Sequence, residues 1–222
     1  MAVASGRRGG RPARISRDDV LQAAVEIADR DGLEALTMRS IGQRVGVEAM
    51  SLYRHVKDKD DVLDGIVDLA FSEIEAPETE SWRAGLERHA RSTHDALVRH
   101  PWAVGVMESR AGPASMRHHD AVLGCLRGGG FSVFAAVRAY NIVNSYVYGF
   151  CLQELSLPFR TPEEQSAVSA DILERYAPGA YPNLEAVATG LPGSGFVYAE
   201  EFGVGLALVL DALERLSEPG KG

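Results

Sequence analysis

The chain has 222 residues, 45% of them hydrophobic, and a formal net charge of -8 at neutral pH. That length suits one large domain or two small ones. No apolar run approaches the roughly twenty residues needed to cross a bilayer, and no apolar stretch follows the arginines near the start, so neither a membrane span nor a secretory leader is expected. Cys125 and Cys151 sit in apolar surroundings without CxxC spacing, which reads as buried, reduced thiols of a cytoplasmic protein.

The charge is uneven. Residues 1–57 hold ten Lys and Arg against seven Asp and Glu, a surplus of +3, which leaves -11 for the rest. A basic head on an acidic body suggests that only the head meets a polyanion. Chance clustering on solvated faces is the bland alternative.

Residues 1–14, "MAVASGRRGGRPAR", are too poor in apolar side chains to build a core and are expected to be a disordered basic arm. Such an arm either follows a minor groove or is a solvated tail. A first helix is expected from Ser16, with Asp19 completing a capping box, Val20, Ala24, Ile27 and Ala28 on its inner stripe, and Gly32 as a left-handed stop. Thr37 is the next N-cap, opening a short helix with Met38, Ile41 and Val45 inward and Gly46 at its end. "VEAMSLYRHV" then gives a third short helix with Val47, Leu52 and Val56 inward. Two short helices across a tight glycine turn form a helix-turn-helix pattern. Asp58 is expected to cap a fourth helix, 58–74, with Asp60 and Asp61 in its first turn.

The segment "GLEALTMRSIGQRVGVEAMSLYRHVKDKDDVLDGI" resembles the DNA-binding domain of TetR-type bacterial repressors. "ESWRAGLERHARSTHDALVRHPWAV" and "GGGFSVFAAVRAYNIVNSYVYGFCLQE" resemble the regulatory domain of the tetracycline-repressor branch. The resemblance implies that Arg39, Ala49, Met50, Ser51 and Arg54 face base edges, and that Thr37, Tyr53, His55 and Lys59 hold phosphates. The residue chemistry agrees: Arg54 can fork onto guanine O6 and N7, and Ala49 and Met50 can touch thymine methyls. Structural readings stand beside these, with Tyr53 packing and His55 serving as a helix C-terminal cation.

The body reads as all helical, with helices near 81–99, 102–109, 115–128, 131–156, 162–176 and 194–217, and a Pro- and Gly-rich loop over 176–195. The expected domains are the head at 15–57, the connecting helix at 58–74 and an effector-binding and dimerisation domain at 75–222. The helices "FSVFAAVRAYNIVNSYVYGFCLQEL" and "GFVYAEEFGVGLALVLDALERL" are apolar on more than one face and must be covered. The cover is either other helices of the chain or, as the resemblance implies, a two-fold four-helix interface of a homodimer on a palindromic DNA operator.

The six histidines have no metal-site spacing, and no nucleophile or phosphate-loop motif is present. The resemblance implies a drug held through magnesium by a histidine, but the aligned place here is Val106 or Met107, so neither metal nor cofactor is expected. Glu154 lies near the matching acidic position. Trp82, Leu86, His89, Met107, Met116, Asn141, Asn144 and Tyr148 are the candidate pocket walls, suited to a mostly apolar small-molecule effector. The expected function is a ligand-responsive repressor. The other classes are a helical small-molecule carrier or enzyme without a DNA role, and an architectural DNA binder without an effector.

Overall fold

A computed structural model describes residues 15–77 and 81–217; the expected basic arm lies outside them. Every regular element among the described residues is a helix, as the sequence pattern requires. The chain forms two compact units, Met1–Val67 and Asp68–Gly222, and the division falls inside one helix.

In the first unit, α1 (Arg17–Asp31) starts at Ser16 with the expected reciprocal box. The Ser16 side chain accepts from the Asp19 amide, and the Ser16 amide donates 2.8 Å to Asp19. Val20, Leu21, Ala23, Ala24, Ile27 and Ala28 are buried. Gly32 has a positive φ of 79° but an extended ψ of 171°, so it ends α1 without the expected left-handed helical conformation. Thr37 caps α2 (Met38–Val45), with Ser40 as its box partner. Only Ile41 and Gly42 of α2 are buried; Met38 and Val45, expected inside, stand at the rim. A helix of about two turns can seat one residue deeply, and those a turn away fall at the edge. Gly46, with φ 78° and ψ 31°, makes the left-handed turn into α3 (Ala49–Leu52). Val47 is half-buried, while Leu52 and Val56 are buried as expected. α4 (Lys59–Ser72) starts under Asp58, which accepts from the Asp61 amide at 2.9 Å.

The second unit holds the end of α4, then α5 (Trp82–Arg99), α6 (Pro113–Gly128), α7 (Val133–Ser156), α8 (Pro162–Glu174), α9 (Pro182–Gly190) and α10 (Glu201–Ser217). α7 packs against α5, α6 and α10, burying Leu86, Leu97, Val122, Leu126, Val143, Val147, Leu206 and Leu210. Gly205 lets α10 approach α7, since a Cβ there would run into the Tyr146 phenol. That phenol donates 2.7 Å to the Phe202 carbonyl.

Two expectations for the body change. The expected helix at 102–109 is a pair of short 3-10 turns, Pro101–Gly105 and Met107–Ser109, because Pro101 and Gly105 leave too few residues for α-helical bonding. The expected loop at 176–195 contains α9, which Pro182 opens at its first position. α8 and α9 bury none of their residues, so no core face marked α9 in the sequence.

Candidate nucleic-acid interface

The first unit builds one chemically distinctive surface. Gly42 allows the turn between α2 and α3 to close: its carbonyl accepts from the Val47 amide at 2.9 Å, and a Cβ on it would stand 2.8 Å from the Val47 oxygen. Leu52 and Val56 anchor α3 and its following turn to the core. The amides of His55 and Val56 both donate to the Leu52 carbonyl, at 2.8 and 3.0 Å, which extends the helical turn. The outward side chains are then Met50, 76% exposed, with Tyr53 and Arg54. Ala49, Ser51 and His55 are half-buried beside them, and Arg39 on α2 and Lys59 on α4 are exposed. Thr37 is exposed too, but its hydroxyl oxygen accepts from the Ser40 amide at 3.0 Å. Thr37 therefore has a structural task whatever else it touches.

A charged clasp sets this surface. Arg17 donates to both oxygens of Asp61, at 2.9 and 2.7 Å, and to the His55 carbonyl at 3.3 Å. Asp61 also accepts from the Lys57 amide at 2.7 Å. The Arg17 hydrogen bond, then that of Lys57, hold the Asp61 carboxyl down at about 2. The clasp joins the start of α1, the turn after α3 and the first turn of α4. The arrangement presents a bulky apolar group, a phenol and a guanidinium on a rigid turn, which is chemistry for base edges and phosphates.

The second unit scatters the candidate pocket walls. Leu86, His89 and Met107 are in the interior. Trp82 is half-buried and meets Phe131 edge-on at 5.0 Å. Asn144 donates 3.2 Å to Glu108, and Tyr148 hydrogen-bonds the same carboxylate; burial and that charge raise its phenol pKa, so it stays protonated. Met116, 60% exposed, and Asn141 are on outer faces. Asn141 borders a surface groove with Val133, Phe134, Val137 and Ile142.

Reading the sequence missed a line of imidazoles. His89 and His118 stand 4.6 Å apart, and His118 and His119 5.4 Å apart, centroid to centroid. His119 meets the Tyr140 hydroxyl. His89 shares its Nδ1 proton with the Glu75 carbonyl at 3.1 Å, and burial lowers its pKa to about 4. The signal available was the His118–His119 doublet on a helix whose Ala114, Val122, Cys125 and Leu126 point inward. Elsewhere His94 meets Glu154 at 2.7 Å and stacks on Phe202 at 4.3 Å. Among the described residues no three side chains of metal-ligating type converge, and no helix is long and apolar enough to cross a membrane.

Comparison with known proteins gives these arrangements a context. A family model described as bacterial regulatory proteins, tetR family, matches residues 20–66. One described as tetracyclin repressor-like, C-terminal domain, matches residues 75–216. The HTH-type transcriptional repressor DrrR1 of Streptomyces coeruleorubidus is 34% identical over 97% of this chain and 83% of its own. The class E tetracycline repressor protein of Escherichia coli is 31% identical, covering 64% of this chain and 70% of its own. Among solved structures, Streptomyces coelicolor ActR in complex with actinorhodin superposes with a TM-score of 0.74 at 25% identity, over 93% of this chain and all of the other.

Proposed function

Because the chain belongs to the TetR family of bacterial regulatory proteins, we propose that it is a cytoplasmic, ligand-responsive transcriptional repressor and not an enzyme, binding a palindromic operator as a homodimer and released by a small molecule. The observation that carries this reading is the exposed Met50, Tyr53 and Arg54 on a turn anchored by buried Leu52 and Val56. Apolar, phenolic and guanidinium groups fixed outward together have little use without a partner. Arg39, Ala49, Met50, Ser51 and Arg54 are the proposed base-facing residues, and Thr37, Tyr53, His55 and Lys59 the phosphate-facing ones.

The homodimer is supported by the outer faces of α7 and α10. Val133, Phe134, Val137, Ile142 and Leu152 of α7, and Val204 and Leu208 of α10, are exposed in the single chain. Such a face needs a cover, and a two-fold pairing of these helices would supply it. The proposed domains are the head at 15–57, the connecting helix at 58–74 and the effector body at 75–222. The proposed effector is mostly apolar and needs no metal, since Val106 and Met107 offer no imidazole. A ligand acts on operator affinity only through its preference for one state of the body, commonly about 1–3 kcal/mol of coupling.

The test is fluorescence anisotropy of the full chain on duplexes selected from a random-sequence library and on the DNA upstream of its own gene. The expected result is two chains per palindromic duplex, with affinity falling at least about tenfold between about 50 and 200 mM salt. A flat salt response, or tight binding with one chain per duplex, would refute it.

A further inference from the structure

We propose that a cavity between the end of α4 and α6 is a binding site for a small, uncharged, flat aromatic molecule carrying a hydroxyl group. The inference rests on the effector-responsive reading above and gives that effector a seat and a chemistry.

The cavity has a volume of about 370 Å³, and its walls include Phe71 and Ile74 near the end of α4 and Ala114, Arg117, His118 and Ala121 of α6. That volume lies within the range of small-molecule sites. The walls are mostly apolar, and the alanines leave space beside the Phe71 ring. Of the cavity's polar side chains, Ser72 and Arg117 are exposed and His118 is buried. His118 is only 8% exposed, and its Nδ1 is buried without a hydrogen-bond partner among the described residues. Nδ1 itself is closed to water as the ring stands, so a ligand atom reaches it by a turn of the imidazole about χ2. Buried polar atoms are nearly always satisfied, and an orphaned one on a residue that lines a cavity is the group such a ligand would satisfy.

The surroundings of His118 select what that atom is. Burial, and after it the neighbouring His89 and His119, push the His118 pKa down to about 3, so the ring is neutral at physiological pH. A neutral imidazole offers no counter-charge to a carboxylate or an ammonium group, and the Arg117 guanidinium in the wall is exposed and screened by water, so it offsets little of the hydration a carboxylate would lose against His118. A hydroxyl both donates and accepts, so it satisfies the free nitrogen in either tautomer. Phe71 already meets His118 edge-on at 5.0 Å and His119 at 5.5 Å. A further aromatic ring extends that edge-to-face set, and the exposed Arg117 guanidinium can lie over its face. Occupancy bears directly on α4, because Phe71 lies in its last turn and Ile74 follows it. Asp68, also on α4, already holds the start of α6 by accepting from the amides of Ala114 and Ser115, at 2.6 and 3.2 Å.

Isothermal titration of the full chain with 1-naphthol, naphthalene and 1-naphthoate, without DNA, tests the site. The wild type is expected to bind one naphthol per chain, about tenfold more tightly than naphthalene, as one neutral hydrogen bond allows, and at least about tenfold more tightly than naphthoate. His118→Phe should reduce naphthol to the naphthalene level, His118→Gln should recover part of the difference, and Ala121→Phe should block all binding. If His118→Phe fails to fold by circular dichroism, the ligand series and Ala121→Phe decide. Equal affinity for naphthol and naphthalene, tighter naphthoate, unchanged binding in Ala121→Phe, or no binding at millimolar naphthol would each overturn the proposal. Wild-type anisotropy on the selected duplex is run in parallel. Operator binding without naphthol binding sinks the site and leaves the regulator standing; absent operator binding sinks the regulator reading itself.

Discussion

Asp61→Asn removes the charge that fastens the first unit while keeping the side chain's shape. In the wild type the carboxylate accepts two bonds from Arg17 and one from the Lys57 amide. The fall of its pKa from the ordinary 3.8 to about 2 corresponds to about 2.4 kcal/mol at most, at about 1.4 kcal/mol per pH unit. The side chains of Arg17 and Asp61 are 43% and 28% exposed, so water screens the pair and about 1 kcal/mol is the realistic loss. The carboxyl is more acidic in the folded chain than in the unfolded one. Its stabilisation is therefore complete above about pH 4 and is lost as pH falls toward about 2. Urea unfolding of wild type and variant at pH 7 and pH 3 measures this. The expected gap is about 1 kcal/mol at pH 7 and about half that at pH 3. A gap below about 0.3 kcal/mol at pH 7, or one unchanged at pH 3, would refute the assignment of the stability to this ion pair.

Gly42→Ala puts a Cβ 2.8 Å from the Val47 oxygen and 3.2 Å from the Ala49 amide nitrogen; it should cost about 1–3 kcal/mol in urea unfolding and weaken DNA binding, and a neutral result would mean that the turn relaxes freely. Asp68→Ala should cost about 1 kcal/mol, like other lost N-caps, and hydrogen exchange should speed up at the Ala114 and Ser115 amides, which donate to Asp68; unchanged exchange there would remove its capping role. Arg54→Ala should cost roughly 1–3 kcal/mol on the operator and relax preference at one base pair per half-site. Lys59→Ala should weaken all duplexes alike and flatten the salt slope. Anisotropy on a panel of single-substitution operators separates the two, and equal weakening of every site by Arg54→Ala would end its base-reading role.

Much of the first unit is legible in the sequence. Ser16, Thr37 and Asp58 cap helices because a short oxygen-bearing side chain just before an apolar-periodic run can reach the free amides of the first turn. Gly46 turns the chain because a left-handed conformation strongly favours glycine. These rules act over four or five residues, so they are visible in a linear string. The same locality explains the failures. Met38 and Val45 repeat at helical spacing, yet how deeply each sits depends on how far a two-turn helix reaches across its neighbours. α9 has no apolar stripe seated on the described chain, so periodicity could not separate it from a loop.

The residues that carry the chemistry divide in the same way. The outward set on α3 was readable because the buried partners, Leu52 and Val56, declare the opposite face. The Arg17–Asp61 clasp joins positions 44 apart, and the imidazole line brings His89 of α5 beside His118 and His119 of α6. No local periodicity encodes either meeting. Which charges pair, which histidine loses its proton to burial and which ring nitrogen is left without a partner depend on distances through space. Desolvation and hydrogen bonding act over a few ångströms, whatever the separation along the chain. Spacing put His118 on the inward side of α6; only the packing of α4, α5 and α6 around it made the ring neutral, orphaned and placed beside a cavity.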